Sequence, residues 1–120
     1  MQVLNLEGTE DTPKVYLDKA KGIFEISGRS LPEDSIAFYK PVLEWLEQYA
    51  GAANPSTEFV LKLEYFNTAS SKLILDVLSA LEEIKGIKVM WYFHEDDEDM
   101  EEAGQEFSEL VEIPFEFKTY

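Results

Sequence analysis

The chain changes its hydrophobic period once, abruptly, between residues 59 and 84, and this constrains the fold more than any other feature. Phe59–Phe66 reads FVLKLEYF, with apolar residues recurring at every second position. Asn67, Thr68, Ala69, Ser70 and Ser71 follow, all small or polar. Leu73, Ile74, Val77, Leu78, Leu81 and Ile84 then recur at the spacing of one helix face. A period of two giving way to one of 3.6 marks a strand that feeds a helix through a short turn. Each element has one apolar face, so the pair is stable only when the helix lies against a sheet.

The rest of the chain repeats this theme. Val3–Leu6 is a weak strand or an N-terminal tail. Val15–Leu17 and Ile23–Ile26, separated by Asp18–Gly22, predict a β-hairpin in which Gly22 supplies the unusual backbone angle, with Gly28–Ser30 ending it. Pro32, Glu33 and Asp34 suit the first turn of a helix carrying Tyr39, Val42, Leu43, Leu46 and Tyr49 on one face. Phe38 and Trp45 widen that face. Pro41 falls inside the pattern and is expected to kink or split the helix. Gly86 is expected to end the helix that follows Ser71. Ile87–Phe93 (IKVMWYF) is nearly all apolar, as in a strand covered on both faces of a parallel sheet. A further helix with Met100, Ala103, Phe107, Leu110 and Val111, and a last strand over 113–117, complete the order. The expectation is one α/β domain over residues 1–120: a β-hairpin, then alternating helices and strands with parallel, right-handed crossovers.

In such sheets the working loops lie beyond the carboxyl ends of the strands. Two loops qualify, Asn67–Ser71 and His94–Asp99. At a helix N-terminus the first N–H groups are free and the dipole favours negative charge, so a phosphate on Thr68 would be well placed. Asn67, Thr68 and Ser70 are equally good N-caps, whose only task would be to satisfy an orphan N–H. Lys72 in the following turn is a partner for a phosphate on Thr68 or for a nearby acid. The acids after His94 complement a helix dipole or attract a hard cation, but lack the glycine and spacing of an EF-hand loop.

Charge and composition remove several function classes. The net charge of −15 repels phosphate backbones and anionic lipid, so neither nucleic acid nor a membrane surface is an expected partner. There is no cysteine, hence no disulfide and no thiolate metal site. No basic, apolar leader and no long apolar segment stands out, which predicts a cytoplasmic protein. Phosphate-binding glycine motifs and a G-x-S-x-G nucleophile turn are missing, so neither a nucleotide cofactor held by a standard loop nor a hydrolase triad is expected.

The order of elements and the hydroxyl-rich turn resemble a STAS domain, the fold of anti-sigma factor antagonists. More closely, the segments GRSLPED (28–34), FYKPVLEWLEQY (38–49), LEYFNTASSK (63–72) and HEDDEDMEEAGQEFSELVEIPFEF (94–117) resemble the SiaC family of bacterial regulatory phosphoproteins. That resemblance implies a STAS-like single mixed sheet with helices packed on it. It also implies a non-enzymatic partner-switching module. A serine/threonine kinase of the histidine-kinase-type ATPase fold would phosphorylate Thr68, and a PP2C-type phosphatase would reverse it. The unphosphorylated form would bind and activate a diguanylate cyclase, linking the switch to cyclic-di-GMP and biofilm regulation. Asn67, Ala69, Ser70, Ser71 and Lys72 flank the acceptor as expected partner-binding residues. Asn67, Ala69 and Ser70 depart from the usual STAS pattern of Asp before the acceptor, then a small residue and Gly. Two rival readings are a small-molecule-binding STAS-like module with a cleft near Thr68, and an enzyme using the carboxylates of His94–Asp99.

Overall fold

The computed structural model describes residues 1–120. The chain runs β1 (Leu4–Leu6), β2 (Lys14–Asp18), β3 (Ile23–Ser30), α1 (Ser35–Ala50), β4 (Thr57–Phe66), α2 (Thr68–Leu81), β5 (Ile87–Phe93), α3 (Glu98–Leu110) and β6 (Phe115–Thr119). All six strands form one sheet in sequence order. β1, β2 and β3 pair antiparallel, and β3 through β6 pair parallel. This is the single mixed α/β sheet expected of a STAS-like fold.

Sequence order decides where the helices go. Each parallel connection steps to the next strand in one direction, and right-handed crossovers then place α1, α2 and α3 on the same face. The core lies between that face and the helices. Val15, Leu17, Phe24, Ile26, Phe59, Leu61, Leu63, Val89 and Trp91 rise from the sheet to meet Tyr39, Val42 and Leu46 of α1, Val77 and Leu78 of α2, and Phe107 of α3.

No helix covers the other face, and this corrects the expectation for Ile87–Phe93. Val89, Trp91 and Phe93 are buried under helices, but Lys88 and Tyr92 on the opposite side are only half-buried. The run is apolar because Met90 and Tyr92 stand on that side, where Met90 is buried without a layer of helices over it.

Local chemistry explains most of the remaining boundaries. The hairpin forms with Gly22 at φ 67°, and Asp18 accepts a hydrogen bond from the Lys21 N–H at 3.0 Å. β3 does not stop at Gly28. It continues to Ser30 through a bulge where Gly28 pairs with Leu63 and Arg29 with Tyr65, leaving Glu64 without a partner. α1 begins after the expected first turn: Pro32 and Glu33 precede the helix, and Asp34 caps it, accepting from the Ala37 N–H at 3.0 Å. Pro41 does not split α1, which runs on to Ala50. α2 ends at Leu81, before Gly86, which sits instead in the turn into β5 at φ 75°. An added methyl there would overlap the Pro55 carbonyl, so the turn requires glycine twice over.

Candidate functional site

β4 delivers the chain to the carboxyl end of the sheet at Phe66, and α2 begins two residues later. Asn67 is extended (φ −87°, ψ 176°), and its side-chain oxygen accepts from the Ser70 N–H at 2.9 Å. The Ser71 N–H donates to the Asn67 carbonyl at 3.0 Å, which is the first helical bond. Asn67 is therefore the N-cap and Thr68 the first residue of the helix. The helix starts earlier than Ser71, and capping is accounted for without Thr68. The Thr68 side chain is exposed, as is that of Ala69.

The other expected site residues divide by direction. Ser70 faces inward and is 0% exposed. Its hydroxyl accepts from Ser30 Oγ at 2.9 Å, and Ser30 Oγ lies 2.6 Å from the Tyr39 hydroxyl. Ser30 has one proton and gives it to Ser70, so Tyr39 must donate to Ser30. The Asn67 N–H also donates to the Ser30 carbonyl at 3.1 Å. This buried chain ties the first turn of α2 to the end of β3 and to α1. Burial pushes the Tyr39 phenol up from its ordinary pKa, against a smaller lowering by the Ser30 hydrogen bond. Ser71 is half-buried, and Lys72 is exposed and pairs with Asp76, four residues on, at 3.5 Å.

Thr68 lies on the wall of a groove between α1 and α2. The groove encloses about 670 Å³ and its floor and walls include Ile36, Leu43, Ala69 and Leu73. Lys40, Glu44 and Glu47 from α1 and Lys72 and Asp76 from α2 form a charged rim. Both helices begin at the same end of the sheet, so Ile36, which is 70% exposed, shares the groove with Thr68. The sequence reading missed the α1 wall, although Ile36, Lys40, Leu43 and Glu47 recur at helical spacing beside the core stripe.

The acid-rich loop resolves into capping. Asp97 accepts from the Met100 N–H at 3.0 Å, and Glu98, Asp99 and Glu101 occupy the first turn of α3, where the dipole favours them. His94 lies edge-on to Tyr120 and 3.8 Å from Asp96. No three of these side chains come together as a metal-ligand set.

A STAS-like sheet with a capped helix N-terminus beside an apolar groove is what the fold and this site define. Residues 6–120 match the SiaC family regulatory phosphoprotein profile, and the chain belongs to that family. The family is regulatory, so the chain is a regulator and not an enzyme. An uncharacterised protein of Pseudomonas aeruginosa strain UCBPP-PA14 is 30% identical over 124 residues, covering 100% of this chain and 98% of the relative. Apo-SiaC from Pseudomonas aeruginosa superposes with a TM-score of 0.90 at 29% identity, covering 99% of this chain and 100% of that one. SiaC bound to the diguanylate cyclase SiaD, whose activator it is, superposes with a TM-score of 0.90 at 30% identity, covering 98% and 99%. No helix is long and apolar enough to cross a membrane.

Proposed function

We propose that this protein is a partner-switching phosphoprotein whose unphosphorylated form binds and activates a diguanylate cyclase, with Thr68 as the modified residue. A serine/threonine kinase of the histidine-kinase-type ATPase fold adds the phosphate and a PP2C-type phosphatase removes it. The observation that carries this reading is the position of Thr68: exposed, relieved of capping by Asn67, and on the wall of the α1–α2 groove. Family membership supports the class of mechanism, and the SiaC–SiaD complex supports the class of effector.

The physical basis of the switch is local. Phosphorylation places roughly −1.5 to −2 charge at the first helical residue. The free N–H groups there stabilise the dianion in the isolated protein. An effector seated on Ile36, Leu43 and Ala69 would have to strip water from it, which an apolar contact cannot repay. Ala69 and Lys72 contact the effector directly. Asn67, Ser70 and Ser71 hold the turn that presents Thr68.

A groove of this volume is also within the range of small-molecule sites, which keeps a ligand-binding module as the second reading. The charged rim and the wide exposure of Ile36 favour a protein occupant. Incubation with the cognate kinase and ATP, followed by peptide mass spectrometry, tests the assignment. Label on the Thr68 peptide, lost in Thr68→Ala, is expected; equal labelling of wild type and Thr68→Ala would reject it.

A further inference from the structure

We infer that the open face of the sheet carries a second site, separate from the Thr68 groove, that binds a small phosphorylated and hydroxylated metabolite. A concavity of about 410 Å³ lies where the Gly8–Thr12 segment overhangs β2, β3 and β4, a size within the range of small-molecule sites. Lys14, Arg29 and Lys62 line it, together with Glu25 and Glu64. Three cations against two carboxylates is unusual here. The chain carries 25 acids and 10 lysines and arginines, and its four other sizeable concavities have at least as many carboxylates as cations.

Two of the three cations, Arg29 and Lys62, are held by neutral groups. None of the three forms an ion pair with a carboxylate, whereas Lys72, Lys88 and Lys118 all do. Arg29 donates from Nε to the Glu10 carbonyl at 3.3 Å and lies 5.5 Å from the centre of the Tyr65 ring. Lys62 lies 4.5 Å from the centre of the Tyr120 ring and 5.6 Å from that of Tyr92. A cation oriented by a carbonyl or a π face keeps its full charge for an incoming anion.

The surroundings are preorganised. The overhanging segment is pinned by the Leu31 N–H on the Asp11 carbonyl at 2.8 Å and by the Thr9–Thr12 hydroxyl pair at 2.7 Å. The bulge at Gly28 interrupts the alternation of β4, so that Glu64 and Tyr65 are both exposed, and Glu64 lines the concavity. A bare anion would be repelled by Glu25 and Glu64. A phosphate monoester on a hydroxylated scaffold satisfies both sets: the cations take the phosphate, and the carboxylates accept from the hydroxyls, as acidic residues do from ribose. A sugar phosphate and a mononucleotide share this chemistry.

Calorimetric titration of the intact protein with inorganic phosphate, ribose, ribose 5-phosphate and adenosine monophosphate tests the site. Ribose 5-phosphate is expected to bind saturably and at least ~10-fold more tightly than phosphate or ribose. Arg29→Ala and Lys62→Met should each weaken it by about 10-fold, and Lys85→Met, a surface change elsewhere, should not. Glu25→Gln should erase the preference for ribose 5-phosphate over inorganic phosphate. Tighter binding of the nucleotide than of ribose 5-phosphate would identify a nucleotide as the natural class; equal binding would identify a sugar phosphate. No saturable binding up to ~10 mM, phosphate binding as tightly as its ester, or indifference to Arg29→Ala would overturn the inference. Thr68→Ala should bind the ester unchanged, so the fate of this site is independent of the switch.

Discussion

Removing the Ser30 hydroxyl should damage the protein in a way that depends on whether Tyr39 still has its own. Ser30, Ser70 and Tyr39 are all fully buried, with Tyr39 donating to Ser30 and Ser30 to Ser70. Ser30→Ala breaks both bonds and strands the Tyr39 O–H in the core. Losing the bonds and leaving one buried donor unpaired costs roughly 2–4 kcal/mol. Tyr39→Phe breaks one bond, strands no donor that was paired before and costs about 1 kcal/mol. In the double variant there is no stranded phenol. Adding Tyr39→Phe to Ser30→Ala should therefore cost nothing or restore ~1 kcal/mol, a coupling of about 1–2 kcal/mol. Urea unfolding followed by fluorescence of Trp45 and Trp91, both buried, measures this cycle. If Tyr39→Phe costs the same with and without Ser30, the proton order assigned to this chain is wrong.

Three further outcomes follow from the same geometry. Asn67→Ala should cost about 1 kcal/mol of stability, whereas Thr68→Ala should change it by less than ~0.5 kcal/mol, because only Asn67 caps α2; paired urea titrations check this. Ile36→Asp should leave the unfolding midpoint nearly unchanged and weaken the cyclase by at least ~10-fold, read by calorimetry. Stability should fall as pH rises above about 10: the folded Tyr39 pKa lies above its unfolded value, so its contribution is intact below the unfolded pKa and is lost on the way up through the folded one. Tyr39→Phe should flatten that decline in urea titrations at stepped pH, leaving a smaller part from Tyr120, whose phenol is raised by burial and by Glu64 and Asp97.

Much of the fold was legible because period and punctuation agreed. The strand over 59–66, the turn at 67, the hairpin glycine and the order of helices all follow from apolar spacing and from residues with one backbone habit. What stayed hidden depended on partners far along the chain. Met90 makes β5 look covered twice, and only strand order reveals that every helix lies on one face. Asn67, Thr68 and Ser70 are chemically equal as caps. The choice among them rests on one hydrogen bond from the Ser70 N–H to Asn67, and Ser70 faces inward, where Ser30, forty residues earlier, donates to its hydroxyl. The groove was invisible for the same reason: Ile36 and Lys40 become a wall only when α2 packs beside α1. Gly86 was placed at a helix end, where glycine is common, because nothing local signals the approach of Pro55.

The central claim is that a phosphate on Thr68 controls access to the α1–α2 groove. The direct measurement is the cyclase dissociation constant with enzymatically phosphorylated and unmodified protein, at two salt concentrations. Aspartate at position 68 is a poor substitute, since a carboxylate carries less charge and fewer oxygens than phosphate. Because the surface already stands at −15, a cyclase that binds it tolerates acid, and long-range repulsion adds little. Phosphorylation is expected to weaken binding by at least ~100-fold, about 2.7 kcal/mol, with most of the loss persisting at high salt. Phosphorylated protein that binds the cyclase as tightly as the unmodified form, or more tightly, would contradict it.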